Sequence, residues 1–209
     1  MELQYYGGNC VKITTKKATI VIDDNLVELG QKSITKAGDI ALFTTPPKTE
    51  PKDTKLIIGQ PGEYEVSDVS IAGIAAQAHM DEAGKQTATM FKLLLDEVRV
   101  AVVGHIYPSL SEAQLEALGT IDVLVIPVGG GGFTLDPVGA LQIIKKIEPK
   151  IVIPTNYADS KLNYPVPAVD LETALKGLAM EPKETLDKLK IKGSELLTDQ
   201  TQLIVLERQ

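Results

Sequence analysis

The sequence predicts an α/β fold in which sheet is covered by helices. Three observations carry this. The first half reads as short strands joined by turns, whereas after Gly104 strands and helices alternate. Several strands, ATIVI and VLVIPV among them, are unbroken apolar runs with no polar face. Such runs belong to strands covered on both sides, and strand runs followed by strand–helix alternation indicate a layered α/β architecture.

Taken in order, residues 2–6 form a strand and Gly7-Gly8-Asn9 the turn after it. Strands at 10–14 and 18–22 follow, with a turn at Lys16-Lys17 between them and Asp23-Asp24 at the end. Residues 40–43 make a buried strand that the TTPP segment must end at Thr44 or Thr45. Proline fixes φ, lacks a backbone donor and pushes the residue before it out of the helical region. A short strand at 55–58 and a turn at Gln60-Pro61-Gly62 come next. Two hairpins complete this half: 63–66 with 69–75 about Ser67-Asp68, and 90–95 with 98–103 about Asp96-Glu97.

In the second half, Ser109-Leu110-Ser111-Glu112 has capping-box spacing ahead of a helix at 112–118 that stops at Gly119. A buried strand at 122–128 runs into four glycines at 129–132. Asp136 and Pro137 suit the N-cap and first position of a helix at 137–147, which ends before Pro149. A strand at 151–154, a helix at 171–178 and a closing strand at 202–207 finish the chain. The proline-broken stretch 160–170, SKLNYPVPAVD, is expected to be a mobile loop.

Composition narrows the function classes. At 209 residues the chain is most economically one domain, 1–209. Trp is absent and aromatics are 4%, so an aliphatic core is expected. A net charge of −7, spread evenly over both halves, argues against nucleic-acid and anionic-membrane surfaces. The single Cys10 excludes an internal disulfide and a multi-cysteine metal site, and a buried, inert thiol is expected there. The N-terminus MELQYYGGN lacks the basic and apolar regions of a signal peptide, and no apolar run reaches the roughly 18–20 residues that span a bilayer. A cytoplasmic protein is the expectation.

Both histidines stand at strand ends, His79 in AAQAHMDE and His105 in VVGHIYP. Strand-end loops of one sheet gather at one edge, so these two segments are expected to share a cleft with residues 44–53, the glycine run and the Thr155-Asn156-Tyr157 turn. The glycine run has neither the lysine and threonine of a P-loop nor GxGxxG spacing, which favours a structural turn over a phosphate site. Ser109 and Ser111 read as caps rather than nucleophiles.

The order of YYGGNCVKI, QPGEYEVSDVSIAGI, RVAVVGH, LSEAQLEALGTIDVLVIPVGGGGFTLDP and PKIVIPTNY resembles the metallo-β-lactamase fold. The resemblance is to a branch of small bacterial proteins described as zinc-dependent hydrolases and related to ascorbate-phosphate lactonase. It runs from about residue 3 to the end, and implies an αββα sandwich of two mixed β-sheets flanked by helices, with a site at one sheet edge. It also implies a ligand set that this chain largely lacks. The family's HxHxDH signature would begin at Thr45; its two leading histidines fall on Thr45 and Pro47, its aspartate on Thr49 and its last histidine on Glu50. His79 stands where the family keeps its next metal-binding histidine. His105 replaces the usual bridging aspartate, Asn156 the final histidine, and Gly7-Gly8-Asn9-Cys10 lacks the histidine of the early glycine–histidine–serine–cysteine turn.

Threonine and proline at signature positions supply no zinc donors. The expectation is therefore a catalytically silent hydrolase homologue, without cofactor, that binds a small molecule or a protein partner; the resemblance also allows a homo-oligomer. The alternative is a hydrolase of a phosphoester or lactone with one zinc, manganese or iron ion on His79, His105 and Glu50, to which Asn156 adds a weak oxygen donor.

Overall fold

A computed structural model describes residues 1–192, 196 and 200–209. Strands β1 (Glu2–Gly7), β2 (Cys10–Thr14), β3 (Thr19–Ile22), β4 (Ile40–Leu42) and β5 (Leu56–Ile58) lie in one sheet with β13 (Leu189–Lys190), in the order β13-β1-β2-β3-β4-β5. The second sheet holds β6 (Gly62–Val66), β7 (Val69–Ala76), β8 (Ala88–Leu95), β9 (Val98–Val102), β10 (Val123–Pro127), β11 (Ile151–Thr155), β12 (Pro182–Leu186) and β14 (Gln202–Leu206), in the order β12-β14-β11-β10-β9-β8-β7-β6. Both are mixed: β3, β4 and β5 run parallel beside an antiparallel β1–β2–β3 meander, and β9, β10, β11, β14 and β12 run parallel beside antiparallel β6 to β9.

The unbroken apolar runs divide their side chains between two cores. In β10, Val123 and Val125 face the space between the sheets while Leu124 and Ile126 face outward; β9, β11 and β14 divide in the same way. The period-2 alternation of a strand makes this division automatic, and β10 is apolar at every position because both its faces are covered. Helices α1 (Glu112–Leu118), α2 (Pro137–Ile147) and α3 (Leu171–Leu178) supply the outer cover through Leu118, Ala140, Ile143, Ile144, Ile147, Ala174 and Leu178. All three lie on the eight-stranded sheet. Over the six-stranded sheet, the loop after β3 puts Leu26 on Cys10 and Val21, with Ile34 beside them. Cys10 is buried there, as expected, and burial pushes its thiol well above the ordinary range.

The sandwich of two mixed sheets with helices outside is as expected, and differences lie at element ends. β4 stops at Leu42, although the Phe43 N–H still donates to the Ile58 carbonyl at 2.9 Å. The α1 cap is Ser111, not Ser109: its side chain accepts from the Gln114 N–H, and the Gln114 side chain accepts from the Ser111 N–H. Asp136 caps α2 with Pro137 following, and the helix ends on left-handed Glu148. The strands β12 and β13 had no counterpart in the expected elements.

Two prolines lie inside central strands, Pro127 in β10 and Pro154 in β11. The pairing explains how they are tolerated. β10 pairs with β9 only through Val125, and β11 pairs with β14 only through Val152. Each proline lies beyond its strand's last bridge to that neighbour, where its missing N–H breaks no ladder bond. At the start of these strands, buried Asp122 ties three of them together: it accepts from the Arg99 N–H (2.9 Å), Nε (2.8 Å) and Nη2 (3.0 Å) and pairs with Lys150 Nζ (3.0 Å). Burial pushes the Asp122 carboxyl up, but these donors outweigh it and hold it down at about 2. Among the described residues no helix is long and apolar enough to cross a membrane.

Candidate functional site

The C-terminal ends of β3, β4, β9, β10 and β11 meet at one pole. β3 delivers Asp23, whose left-handed backbone (φ 52°) turns the chain out of the sheet. The Asp23 carboxylate then seizes Thr44, accepting from its N–H at 2.7 Å and from its hydroxyl at 2.6 Å. This grip ends the β4 segment one residue before the threonine–proline run. Thr44 also fills the space over Gly104, where an added Cβ would lie 2.1 Å from Thr44 Oγ1; with φ at +63°, only glycine fits there. His105 follows directly on Gly104 and lines the cavity.

The same pole receives Gly129 and Asn156. Gly129 lies so close to the next loop that a Cβ would be 1.9 Å from the Asn156 carbonyl oxygen. The Asn156 N–H donates to the Gly8 carbonyl at 2.8 Å, and Thr155 Oγ1 donates to Asn9 Oδ1 at 2.9 Å, joining the second sheet to the β1–β2 turn. The 160–170 segment, expected to be mobile, forms the remaining wall: the Asn163 N–H donates to the Leu29 carbonyl, the Val169 N–H to Gly129, and Tyr164 OH to Tyr157. The glycine run is thus a packing device between loops, as its motif-poor sequence suggested.

These segments enclose a cavity of about 420 Å³. Of the residues singled out from sequence, Thr45, His105 and Asn156 line it; Pro47, Thr49, Glu50 and His79 do not. After Pro46 and Lys48 the loop leaves the cavity wall. His79 lies next to His105, donating its N–H to the His105 carbonyl at 2.8 Å, and its ring stands 6.3 Å from that of Tyr107. Among the described residues no three His, Cys, Asp or Glu side chains gather closely enough to hold a metal ion, so the set Glu50, His79 and His105 is not brought together. A tetrahedral site needs three or four donors at about 2.0–2.3 Å, and the residues present do not fit one.

Sequence reasoning missed Asp23, Asn25, Glu28, Asn163 and Tyr164 as site residues. Asp23 had a readable signal, since it directly follows a buried strand. The electrostatics here differ from an ordinary surface. Burial raises the Asp23 carboxyl to about 6, partly offset by the two bonds from Thr44. Burial, with His79 nearby, lowers His105 to about 4, so its imidazole is neutral at pH 7. The His105 ring packs at 4.8 Å from Phe133. Asn9 Nδ2, Asn25 Oδ1 and the Nδ1 atoms of His79 and His105 are buried without a hydrogen-bond partner.

Residues 2–156 match the profile of the β-lactamase superfamily domain. The chain belongs to the β-lactamase superfamily. Solved structures of the superfamily fold cover nearly all of it. A presumed Zn-dependent hydrolase of the metallo-β-lactamase superfamily from Thermotoga maritima superposes with a TM-score of 0.75 at 22% identity, over 99% of both chains. A presumed metal-dependent hydrolase from Parabacteroides distasonis gives 0.66 at 17%, over 99% of this chain and 93% of that one. The metallo hydrolase Igni18 from the archaeon Ignicoccus hospitalis gives 0.62 at 17%, over 99% and 94%. At these identities the likeness establishes the superfamily fold. No curated protein matches the sequence significantly.

Proposed function

We propose that this superfamily member binds a small molecule in its strand-end cleft and does not carry out metal-assisted hydrolysis. One observation supports this above others. Where the resemblance places metal ligands, the cavity wall carries Thr45 and Asn156, while Pro47, Thr49 and Glu50 lie off it. Threonine and proline replace imidazoles there, and without a Lewis acid a water molecule keeps a pKa near 15.7 instead of about 7. The cavity itself is well formed and within the roughly 300–1,000 Å³ range of small-molecule sites. The lone, buried Cys10 accords with a cytoplasmic setting.

A second reading has its own observation. His79 and His105 are neighbours, each with an unpartnered Nδ1, and in that reading they hold one ion in a reduced hydrolytic site. Elemental analysis of protein purified without chelator or affinity metal separates the two. The expected result is metal far below one equivalent. Near-stoichiometric zinc, manganese or iron, lost in His79→Ala or His105→Ala, overturns the binding reading.

A further inference from the structure

We infer that the cleft takes an uncharged, hydroxyl-rich ligand of sugar size. This rests on the reading of the cleft as a small-molecule site and adds the chemistry of the occupant. The chain contains four asparagines, Asn9, Asn25, Asn156 and Asn163. All four line this one cavity, although only 18 of the described residues do. A left-handed backbone suffices to explain asparagine at position 156, and the bond to Thr155 occupies one end of Asn9. Neither explains why Asn9 Nδ2 and Asn25 Oδ1 are left buried and unpartnered. A buried polar atom without a partner is unfavourable, and a ligand group that bonds it removes that penalty on binding.

The type of group follows from the valence of a carboxamide. It is neutral, with an N–H donor at one end and an oxygen acceptor at the other. A hydroxyl is its complement, able to accept from Asn9 Nδ2 or donate to Asn25 Oδ1. An ionised phosphate or carboxylate offers acceptors only, so it could bond Asn9 Nδ2 but not Asn25 Oδ1, and it gains most from a nearby cation. Lys48, the lone Lys or Arg on the cavity wall, is paired with Glu28 at 3.2 Å. Both oxygens of Asp23 are taken by Thr44. Among the described residues an anion would therefore meet two carboxylates and a single cation, which already faces Glu28. Phe133, 37% exposed and packed on His105, offers an apolar face for the C–H side of a sugar ring.

The experiment is NMR titration, following the rings of Tyr164, Phe133 and His105, with glucose and cellobiose as neutral probes and glucose 6-phosphate as the charged one. Saturable shifts with a neutral sugar, absent with the phosphate ester, are expected. Asn25→Leu, with an unchanged circular dichroism spectrum, should weaken that binding roughly tenfold, the effect of one lost hydrogen bond to a buried group. Phe133→Ala gives a second test and should weaken it without touching any hydrogen bond. Saturable binding of glucose 6-phosphate alone overturns the inference but leaves the small-molecule reading intact. No response to any of these sugars also overturns it; if zinc alone shifts those rings, the small-molecule reading falls with it.

Discussion

Where β10 begins, every polar atom of Asp122 has a partner: Arg99 and Lys150 surround the carboxylate and hold it ionised at about 2. Where the same strand ends, the polar atoms are left waiting. Asn9 Nδ2, Asn25 Oδ1 and His105 Nδ1 are buried and unpartnered, and Asp23 is raised to about 6. One pole of the sandwich is satisfied within the chain; the other leaves these polar atoms without partners. On the proposed reading the difference marks where this fold gives up stability, since a binding site must leave its partners open.

The contrast can be broken most directly at Asp122. Asp122→Ala removes the shared acceptor of the Arg99 N–H, the Arg99 guanidinium and Lys150, and should cost about 3 kcal/mol in urea unfolding. A loss below about 1 kcal/mol would mean that this pole is not the clamp described. In the parent protein the folded carboxyl lies below its unfolded value of about 3.9. Its contribution is present above that pH and disappears as pH falls towards about 2.

Asp23 should behave with the opposite sign. Its folded pKa of about 6 lies above the unfolded value, so its favourable contribution is full below about pH 4 and is lost as pH rises through 6. Asp23→Asn should remove about 2 kcal/mol of pH dependence between pH 4 and 8, read as the difference between the two unfolding curves. Parallel curves would show that the cleft carboxylate is no more perturbed than a surface one.

Smaller still, Asn25→Leu should raise stability by about 1 kcal/mol by deleting an unsatisfied acceptor, even as it weakens ligand binding. Destabilisation instead would show that the acceptor is satisfied in solution. The smallest effect expected is none: EDTA should leave the melting temperature unchanged, and a drop of several degrees would favour the mono-metal reading.

Most of the fold was legible because burial on both faces writes an unmistakable apolar run, as in ATIVI and VLVIPV. β12 was not, because Pro182-Lys183-Glu184-Thr185-Leu186 is an edge strand whose first four residues are exposed, with no pattern for burial to impose. The sequence named both Ser109 and Ser111 as caps because both have the right chemistry, and only the Gln114 bond decides for Ser111. In the cleft, strand-end logic found Thr45, His105 and Asn156. It missed Asn25 and Asn163 because their place depends on contacts between distant loops, such as the bond from Asn163 N–H to Leu29. The lost metal signature directed attention along residues 45–50, whereas the structure places most of the polar wall elsewhere.

The tyrosines behind the cleft give the molecule an optical voice. Tyr157 packs against both apolar cores, its ring 5.7 Å from that of Tyr5, and Tyr164 reaches from the cavity wall to bond its carbonyl. With no tryptophan in the chain, tyrosine emission is not drained by energy transfer to an indole. Half of the six tyrosines form this one cluster. A molecule entering the cleft therefore changes the surroundings of a large share of the protein's own fluorescence, so occupancy can be followed in unlabelled protein.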